Sequence, residues 1–166
     1  MKFTIEQLNL MDRHSFMEAV GWVVEHSPWV MERVYAKLPY RDGDQLHDEL
    51  VDVIRNLNEE EKVSLLRSHP DLGTRLAMTD ASVSEQRGAG LDSLSEDEYI
   101  QLSELNKQYT DRFGFPFIMA VKGKNKAEIT EAMQRRSENG RDEELQAALS
   151  EIGRITKFRL LERVGH

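Results

Sequence analysis

The sequence contains no cysteine. Without cysteine the chain cannot form a disulfide framework, attack a substrate through a thiol or bind a metal through thiolates. It also lacks any apolar run near the roughly 18 residues that a membrane-spanning helix requires. The segment Met1–Leu10 carries Lys2 and Glu6 where a signal peptide needs an apolar centre. We therefore expect a soluble, intracellular protein with no membrane partner.

Basic residues are too few to suggest nucleic-acid binding. The 166-residue chain has 22 Lys and Arg against 30 Asp and Glu, which gives a formal net charge of −8. An acidic chain binds nucleic acid only through a local basic patch, and the turn at 122–126 is too short to be one. We expect no nucleic-acid partner.

Signatures of cofactor and metal sites are missing as well. Gly88-Ala-Gly90 lacks the third glycine of a dinucleotide-binding loop, and no phosphate-binding loop is present. The acidic residues of segment 42–49 have the wrong number and spacing for a calcium loop, and His47 has no second histidine four residues on. The motifs indicate neither a nucleotide fold nor a metal site.

Patterns typical of helices dominate the sequence. Capping-box patterns begin at Thr4, Ser82 and Ser95, and Asn58 is a further helix start. Apolar residues with helical spacing follow Ser95 up to Gly114, and other helical patterns cover 13–24, 28–37, 44–57, 59–68, 126–137 and 142–164. At this length one domain is the default. The sequence predicts an all-α, single-domain protein over residues 1–166.

One aromatic stretch, 113–121, resembles a strand. Gly114 and Pro116 interrupt it, and no other segment could pair with it. We expect a loop that either lines a pocket with backbone N–H groups or fills the core.

Three side chains stand out as candidates for chemistry. His69 follows a predicted helix and precedes Pro70, which suits the start of another helix, so the imidazole either faces a cleft or caps a helix corner. Arg159 falls on the apolar stripe of the last helix, where its guanidinium needs an anion, either a substrate or an internal ion-pair partner, unless the side chain snorkels to the surface. Glu85 is either the third residue of a capping box begun by Ser82 or a catalytic carboxylate.

The same regions resemble the 2-oxo-4-hydroxy-4-carboxy-5-ureidoimidazoline (OHCU) decarboxylase family, over about residues 5–163. Four segments carry the resemblance, in the family's order and at its separations. They are His69-Pro-Asp-Leu-Gly73; Ser82-Val-Ser-Glu-Gln86 with Ala89-Gly-Leu91; Leu105-Asn-Lys-Gln-Tyr-Thr-Asp-Arg-Phe-Gly-Phe-Pro-Phe-Ile118; and Ile152…Ile155…Arg159-Leu160. A single glycine follows Leu72 where relatives often have Ala-Gly.

The resemblance implies a homodimeric, cofactor-free, all-α lyase that converts OHCU to (S)-allantoin in urate degradation. It implies catalytic roles for His69 and Glu85. Further residues would contact the substrate, and these are Pro70, Ser82, Gln86, the loop residues Phe117, Ile118, Met119, Ala120 and Val121, and Arg159.

Two further expectations follow. The C-terminus lacks the Ser-Lys-Leu peroxisomal address of animal members, so we expect a cytoplasmic protein. The alternative to an enzyme is an acidic helical interaction module, in which the stripe ending in Arg159 and the aromatic loop bind a protein partner.

Overall fold

The computed structural model describes residues 2–70, 72 and 80–165, except for the side chains of residues 80–82. Within this part of the chain there are nine α-helices and no β-strand, which confirms the prediction of an all-α protein. The helices are α1 (Ile5–Asn9), α2 (Arg13–Val20), α3 (Pro28–Tyr35), α4 (Gly43–Arg55), α5 (Glu59–Arg67), α6 (Asp80–Gly88), α7 (Glu96–Phe113), α8 (Lys126–Arg136) and α9 (Arg141–Arg163).

The chain divides into two compact units. One comprises Met1–Ser68 and Ile152–His166, and the other comprises His69–Glu151. The prediction of one domain over the whole chain stays a prediction.

Helix starts follow the capping chemistry read from the sequence. Thr4, Asn58 and Ser95 each accept a hydrogen bond from the third helical N–H, and the residue there bonds back to the cap. A fourth capping box, at Asn125, begins α8 and was not predicted. These reciprocal bonds satisfy N–H groups that a helix start otherwise leaves without a partner.

Two sequence expectations about helix starts are wrong. Helix α6 begins at Asp80, so Ser82 lies inside its first turn and does not precede it. Pro70 is not in a helix and does not begin one, and the next helix described after it is α6. Gly73, the single glycine after Leu72, and the side chain of Ser82 lie outside the described residues.

In the first unit, helix α3 packs against both α2 and α4. Helix α4 contributes Leu46, Leu50 and Ile54, which recur every fourth residue and are buried. This spacing places all three on one face, so the helix buries an apolar stripe and exposes its charged residues.

The second unit has an aromatic core built around Tyr109 of α7. Its ring lies 4.6 Å from Phe113, 6.1 Å from Phe115 and 5.3 Å from Phe117, between ring centroids. Aromatic pairs at such distances add to the free energy gained from burial alone. None of the described helices is both long enough and apolar enough to span a membrane.

Candidate active site

His69 lies immediately after a helix end, as the sequence predicts. Helix α5 ends at Arg67, and the Ser68 hydroxyl lies 2.7 Å from both the Leu65 carbonyl oxygen and the Ser27 hydroxyl. These bonds hold the backbone directly before His69. The histidine is only 9% exposed, so the imidazole is largely shielded from bulk water.

The segment after His69 is held by α7. Asn106 is buried, and its side-chain amide donates to the Leu72 carbonyl oxygen over 2.8 Å. A buried carbonyl needs such a donor, since leaving it without one costs free energy. Asn106 therefore fixes the backbone three residues beyond His69.

Helix α6 carries Glu85 and Gln86 in its second half, just before its capped C-terminal end. The Leu91 N–H donates to the Gln86 carbonyl oxygen over 2.9 Å, and Gly90 takes the left-handed conformation with φ of 82°. Together with the bond from Gly90 N–H to the Arg87 carbonyl oxygen, this is a Schellman motif, which explains the glycine. Glu85 is half-buried and Gln86 is buried.

The geometry of α6 removes the structural alternative for Glu85. A capping box pairs the residue before a helix with the third residue inside it. Because α6 begins at Asp80, Ser82 and Glu85 occupy the third and sixth helical positions. Glu85 is therefore not the partner of a helix cap at Ser82.

The aromatic stretch forms a loop that leaves α7 at Gly114, whose φ of 82° ends the helix. Phe115 and Phe117 are fully buried, and their alternation with Gly114 and Pro116 produces the strand-like pattern in the sequence. Ile118, Ala120 and Val121 are buried and Met119 is half-buried. The Ala120 N–H lies 3.4 Å from a carboxylate oxygen of Glu151.

A buried ion pair lies against this loop. Arg136, in the last turn of α8, donates from Nε to Glu144 Oε1 over 2.9 Å and from Nη1 to the Ile118 carbonyl oxygen over 2.8 Å. The guanidinium carbon lies 4.5 Å from the centre of the Phe117 ring. Glu144 is completely buried. The loop backbone and its aromatic side chain thus both contact one arginine.

Two neutral donors complete the surroundings of Glu144. The Tyr109 hydroxyl donates to Oε1 over 2.5 Å, and the Asn139 amide donates to Oε2 over 2.9 Å. Burial raises the pKa of Tyr109 well above its usual value, and the hydrogen bond to Glu144 and its negative charge raise it further. The hydroxyl therefore stays protonated and acts as a donor.

Arg159 is buried on α9, as the apolar stripe predicts, with 3% exposed. It donates from Nη1 to the Val23 carbonyl oxygen over 3.1 Å, and Nη2 lies 3.7 Å from a carboxylate oxygen of Glu25, which is 1% exposed. The guanidinium therefore lies beside an internal anion, which agrees with the interpretation of Arg159 as an ion-pair partner. Glu25 compensates the buried positive charge.

The predicted site residues are divided between the compact units. His69, Pro70, Glu85, Gln86 and Phe117–Val121 belong to the unit His69–Glu151, and Arg159 belongs to the other. Within the described part of the chain, no group of three or more acidic or histidine side chains is arranged to hold a metal ion.

Sequence reasoning missed Arg136, Glu144 and Glu25. Glu144 follows Asp142 and Glu143 in the first turn of α9, where acidic residues ordinarily balance the helix dipole. Nothing local distinguishes it from its neighbours. Its burial depends on residues distant in the chain, and only the three-dimensional structure shows it.

The chain is similar to known proteins over nearly its whole length. The family profile described as OHCU decarboxylase matches residues 9–161. A relative from Haloferax volcanii named 2-oxo-4-hydroxy-4-carboxy-5-ureidoimidazoline decarboxylase is 44% identical, covering 98% of this chain and 96% of its own length. A relative of the same name from Halalkalicoccus jeotgali is 42% identical, covering 97% and 92%.

A solved structure shares the fold. The crystal structure of (S)-allantoin synthase superposes with a TM-score of 0.80 and 25% identity, covering 98% of this chain and 54% of that one. The chain thus spans about half the length of that protein. The all-α fold and the matching relatives define the class of the protein, a carboxy-lyase. The chain belongs to the OHCU decarboxylase family.

Proposed function

We propose that this protein decarboxylates OHCU to (S)-allantoin in urate degradation, as a carbon–carbon lyase. The observation that carries the proposal is the 44% identity to the Haloferax volcanii OHCU decarboxylase over nearly the whole of both chains. The buried His69 and Arg159 are consistent with it, because the reaction needs a proton donor and its substrate carries an anionic group.

The substrate's own structure makes the chemistry feasible. One ring carbon of OHCU carries the carboxylate and a hydroxyl, and the next ring carbon belongs to a C=N bond. When the carbon–carboxylate bond breaks, CO₂ leaves and the electron pair moves into the adjacent C=N system. The ring nitrogen of that C=N bond takes a proton, which leaves an enol. The enol hydroxyl then loses its proton as its carbon becomes a carbonyl, and the carbon with the ureido group takes a proton. Because the ring holds the electron pair, we expect the reaction to need no cofactor and no metal.

The protein's task is to orient the substrate and deliver that proton to one face. We propose that His69 and Glu85 share the acid–base work, for which a shielded imidazole and a carboxylate on the same compact unit are suited. Partial exclusion of water strengthens such interactions. Proton delivery to one face explains why the product is a single enantiomer.

The remaining candidates bind the substrate in this proposal. Arg159 meets its anionic part, since a guanidinium presents a planar pair of donors to a carboxylate. Pro70, Ser82 and Gln86 contact the substrate, and backbone groups of the loop Phe117–Val121 do the same. These assignments rest on the family resemblance together with the burial of His69, Gln86 and Arg159.

The oligomeric state of the protein and its location in the cell are also proposals. We propose that the chain forms a homodimer in the cytoplasm and binds neither nucleic acid nor membranes, in keeping with its net charge of −8. Sedimentation equilibrium would test the dimer. A single species with the 19.2 kDa mass of one chain would contradict it.

The test of the activity uses freshly generated OHCU and follows the loss of its ultraviolet absorbance. We expect the wild-type protein to accelerate the loss, and His69→Ala to lose about 10²–10⁴-fold in rate with unchanged helical circular dichroism. Decay at the spontaneous rate with wild-type protein would reject the enzyme and favour the interaction module. A variant at His69 that keeps more than about half of the wild-type rate would remove His69 from the mechanism.

A further inference from the structure

We propose that Arg136 is a positioning residue, which orients the peptide unit between Ile118 and Met119 so that its N–H faces the substrate. The inference rests on the proposed function, in which backbone groups of the loop contact the substrate. It assigns a role to a side chain outside the set of residues that the family resemblance singles out.

The contact geometry is the first argument. Arg136 touches two consecutive loop residues, with its guanidinium carbon 4.5 Å from the centre of the Phe117 ring and its Nη1 2.8 Å from the Ile118 carbonyl oxygen. The two contacts restrain the loop both at a side chain and at the backbone. A charge-assisted hydrogen bond shielded from water is among the stronger ones.

The second argument comes from the peptide bond. A peptide unit is planar and almost always trans, so its C=O and N–H point in opposite directions. The bond that holds the Ile118 carbonyl toward Arg136 therefore turns the Met119 N–H away from it. Arg136 thus sets the direction of a backbone donor without touching the substrate itself.

The third argument is that Arg136 is itself held. Its Nε donates to Glu144, whose two carboxylate oxygens also accept from the Tyr109 hydroxyl and the Asn139 amide. Three donors from α7, α8 and the turn after α8 therefore fix the carboxylate. The guanidinium has little freedom to turn away from the loop.

The cost of this arrangement also argues for a purpose. A buried ion pair is often no more stabilising than a well-packed apolar pair. Among the described residues, moreover, the Nη2 atom of Arg136 has no hydrogen-bond partner although it is buried. Apolar side chains could fill the same volume, but they could not hold a carbonyl oxygen in one direction.

The experiment compares two variants in the steady-state decarboxylation of OHCU. Arg136→Lys keeps the charge for Glu144 but cannot serve both Glu144 and the Ile118 carbonyl through one planar fork. We expect KM to rise about tenfold or more, which is the loss expected from one charge-assisted hydrogen bond. The matched control, Tyr109→Phe, removes another donor to Glu144 and leaves the contact between Arg136 and Ile118 in place. It should lower Tm and keep KM within about twofold of wild type.

A double variant keeps the test decisive if Arg136→Lys does not fold. Arg136→Met combined with Glu144→Gln removes both charges, so no charge is left buried without compensation, and glutamine still accepts from the Tyr109 hydroxyl. We expect this protein to fold and to show the same rise in KM.

Unchanged KM in a folded Arg136 variant, with Tm lowered as in Tyr109→Phe, would overturn the inference and make Arg136 purely structural. The rate of the wild-type protein shows whether the positioning role alone is refuted or the proposed function as well. An active wild type with insensitive Arg136 variants refutes only the positioning role, whereas an inactive wild type refutes the proposed function and this inference together.

Discussion

At the scale of single residues, Glu85 shows how a helix boundary removes a structural alternative. From the sequence, Glu85 could equally cap a helix begun by Ser82 or act on a substrate. The observed start of α6 at Asp80 places Glu85 well inside the helix, so no capping role at Ser82 remains. The carboxylate is half-buried, and its catalytic role stays a prediction.

The substitution Glu85→Gln tests that assignment. Glutamine keeps the shape but can neither take up a proton at neutral pH nor stabilise a charged imidazole. We expect kcat to fall by about 10²-fold or more with unchanged Tm. The matched control is Glu104→Gln, an exposed position on α7. A kcat for Glu85→Gln within about threefold of wild type, a barrier change below about 1 kcal/mol, would exclude a catalytic role.

Arg159 shows one of the roles that its sequence position allowed, that of an internal ion-pair partner. The pattern of α9 predicts its burial, and the structure adds Glu25 as the compensating anion. Sequence alone could not supply that partner, because 134 positions separate the two residues and thirty acidic residues were candidates. Removing the positive charge would take the guanidinium away from the buried Glu25 carboxylate, so a test of function must keep it.

The substitution Arg159→Lys keeps the charge and removes the planar fork. We expect kcat/KM for OHCU to fall by an order of magnitude or more, since losing a charge-assisted bond costs roughly 1.5–3 kcal/mol. Arg154→Lys, at an exposed position of α9, is the control and should leave kcat/KM unchanged. If Arg159→Lys lowers Tm but leaves kcat/KM intact, the arginine serves only as the partner of Glu25.

At the scale of elements, helix ends were the most predictable feature. Asn58 and Ser95 carry local capping patterns, and the predicted starts agree with α5 and α7. The C-terminal end of α7 at Gly114 is likewise local, because left-handed backbone favours glycine. The prediction of a helix start at Ser82 was wrong, although a glutamate follows Ser82 three residues later, as it follows Ser95. In the sequence, a capping pattern inside a helix cannot be distinguished from one that precedes a helix.

The long-range contacts by which helices hold the candidate site residues could not be predicted from the sequence. Asn106 lies on the buried face of α7, where an amide in an apolar stripe gives no hint of its partner. The partner is the Leu72 carbonyl, 34 positions earlier and just beyond His69. The contact exists only because the fold places α7 beside that segment.

The substitution Asn106→Asp tests this connection. A carboxylate cannot donate to the Leu72 carbonyl, so a buried acceptor would face another acceptor. We expect the free energy of unfolding to fall by about 1–3 kcal/mol in urea titrations, because a buried hydrogen bond is lost and both oxygens remain desolvated. Gln108→Glu makes the same chemical change at an exposed position of α7 and should alter stability by less than about 0.5 kcal/mol. Equal effects at both positions would show that the bond to Leu72 contributes nothing.

At the scale of the whole molecule, the fold class follows from composition and helical periodicity, whereas the division into two compact units does not. Helix α9 reads as one continuous pattern in the sequence, and the boundary at Ile152 leaves no mark in it. Contacts between distant segments define such units, and a sequence pattern does not report them. The functional class could be predicted from the sequence, because four separated motifs in one order are together specific for a family.

The pH dependence of stability provides a test at this scale. His47 of α4 is partly buried, and its Nε2 lies 2.9 Å from the Gly153 carbonyl oxygen. Burial lowers its pKa, the main cause, and the charge of Lys157 lowers it further, although the bond to Gly153 opposes the shift. Since the folded pKa lies below the unfolded one, the unfolded state binds a proton first as pH falls.

We therefore expect His47 to contribute stability fully above its unfolded pKa of about 6.5 and to lose that contribution as pH falls below it. Urea titrations of the wild type and His47→Gln at about pH 7.5 and about pH 5.5 measure the difference. The wild type should lose more stability between the two conditions than the variant does. An equal loss in both proteins would show that His47 does not couple protonation to unfolding.

The most direct measurement of the central claim is the circular dichroism of the allantoin formed when the wild-type protein acts on freshly generated OHCU. The account predicts that a signal of (S)-allantoin appears at the rate at which OHCU is consumed, because the protein delivers the proton to one face. Optically inactive allantoin, formed at the spontaneous rate, would contradict it.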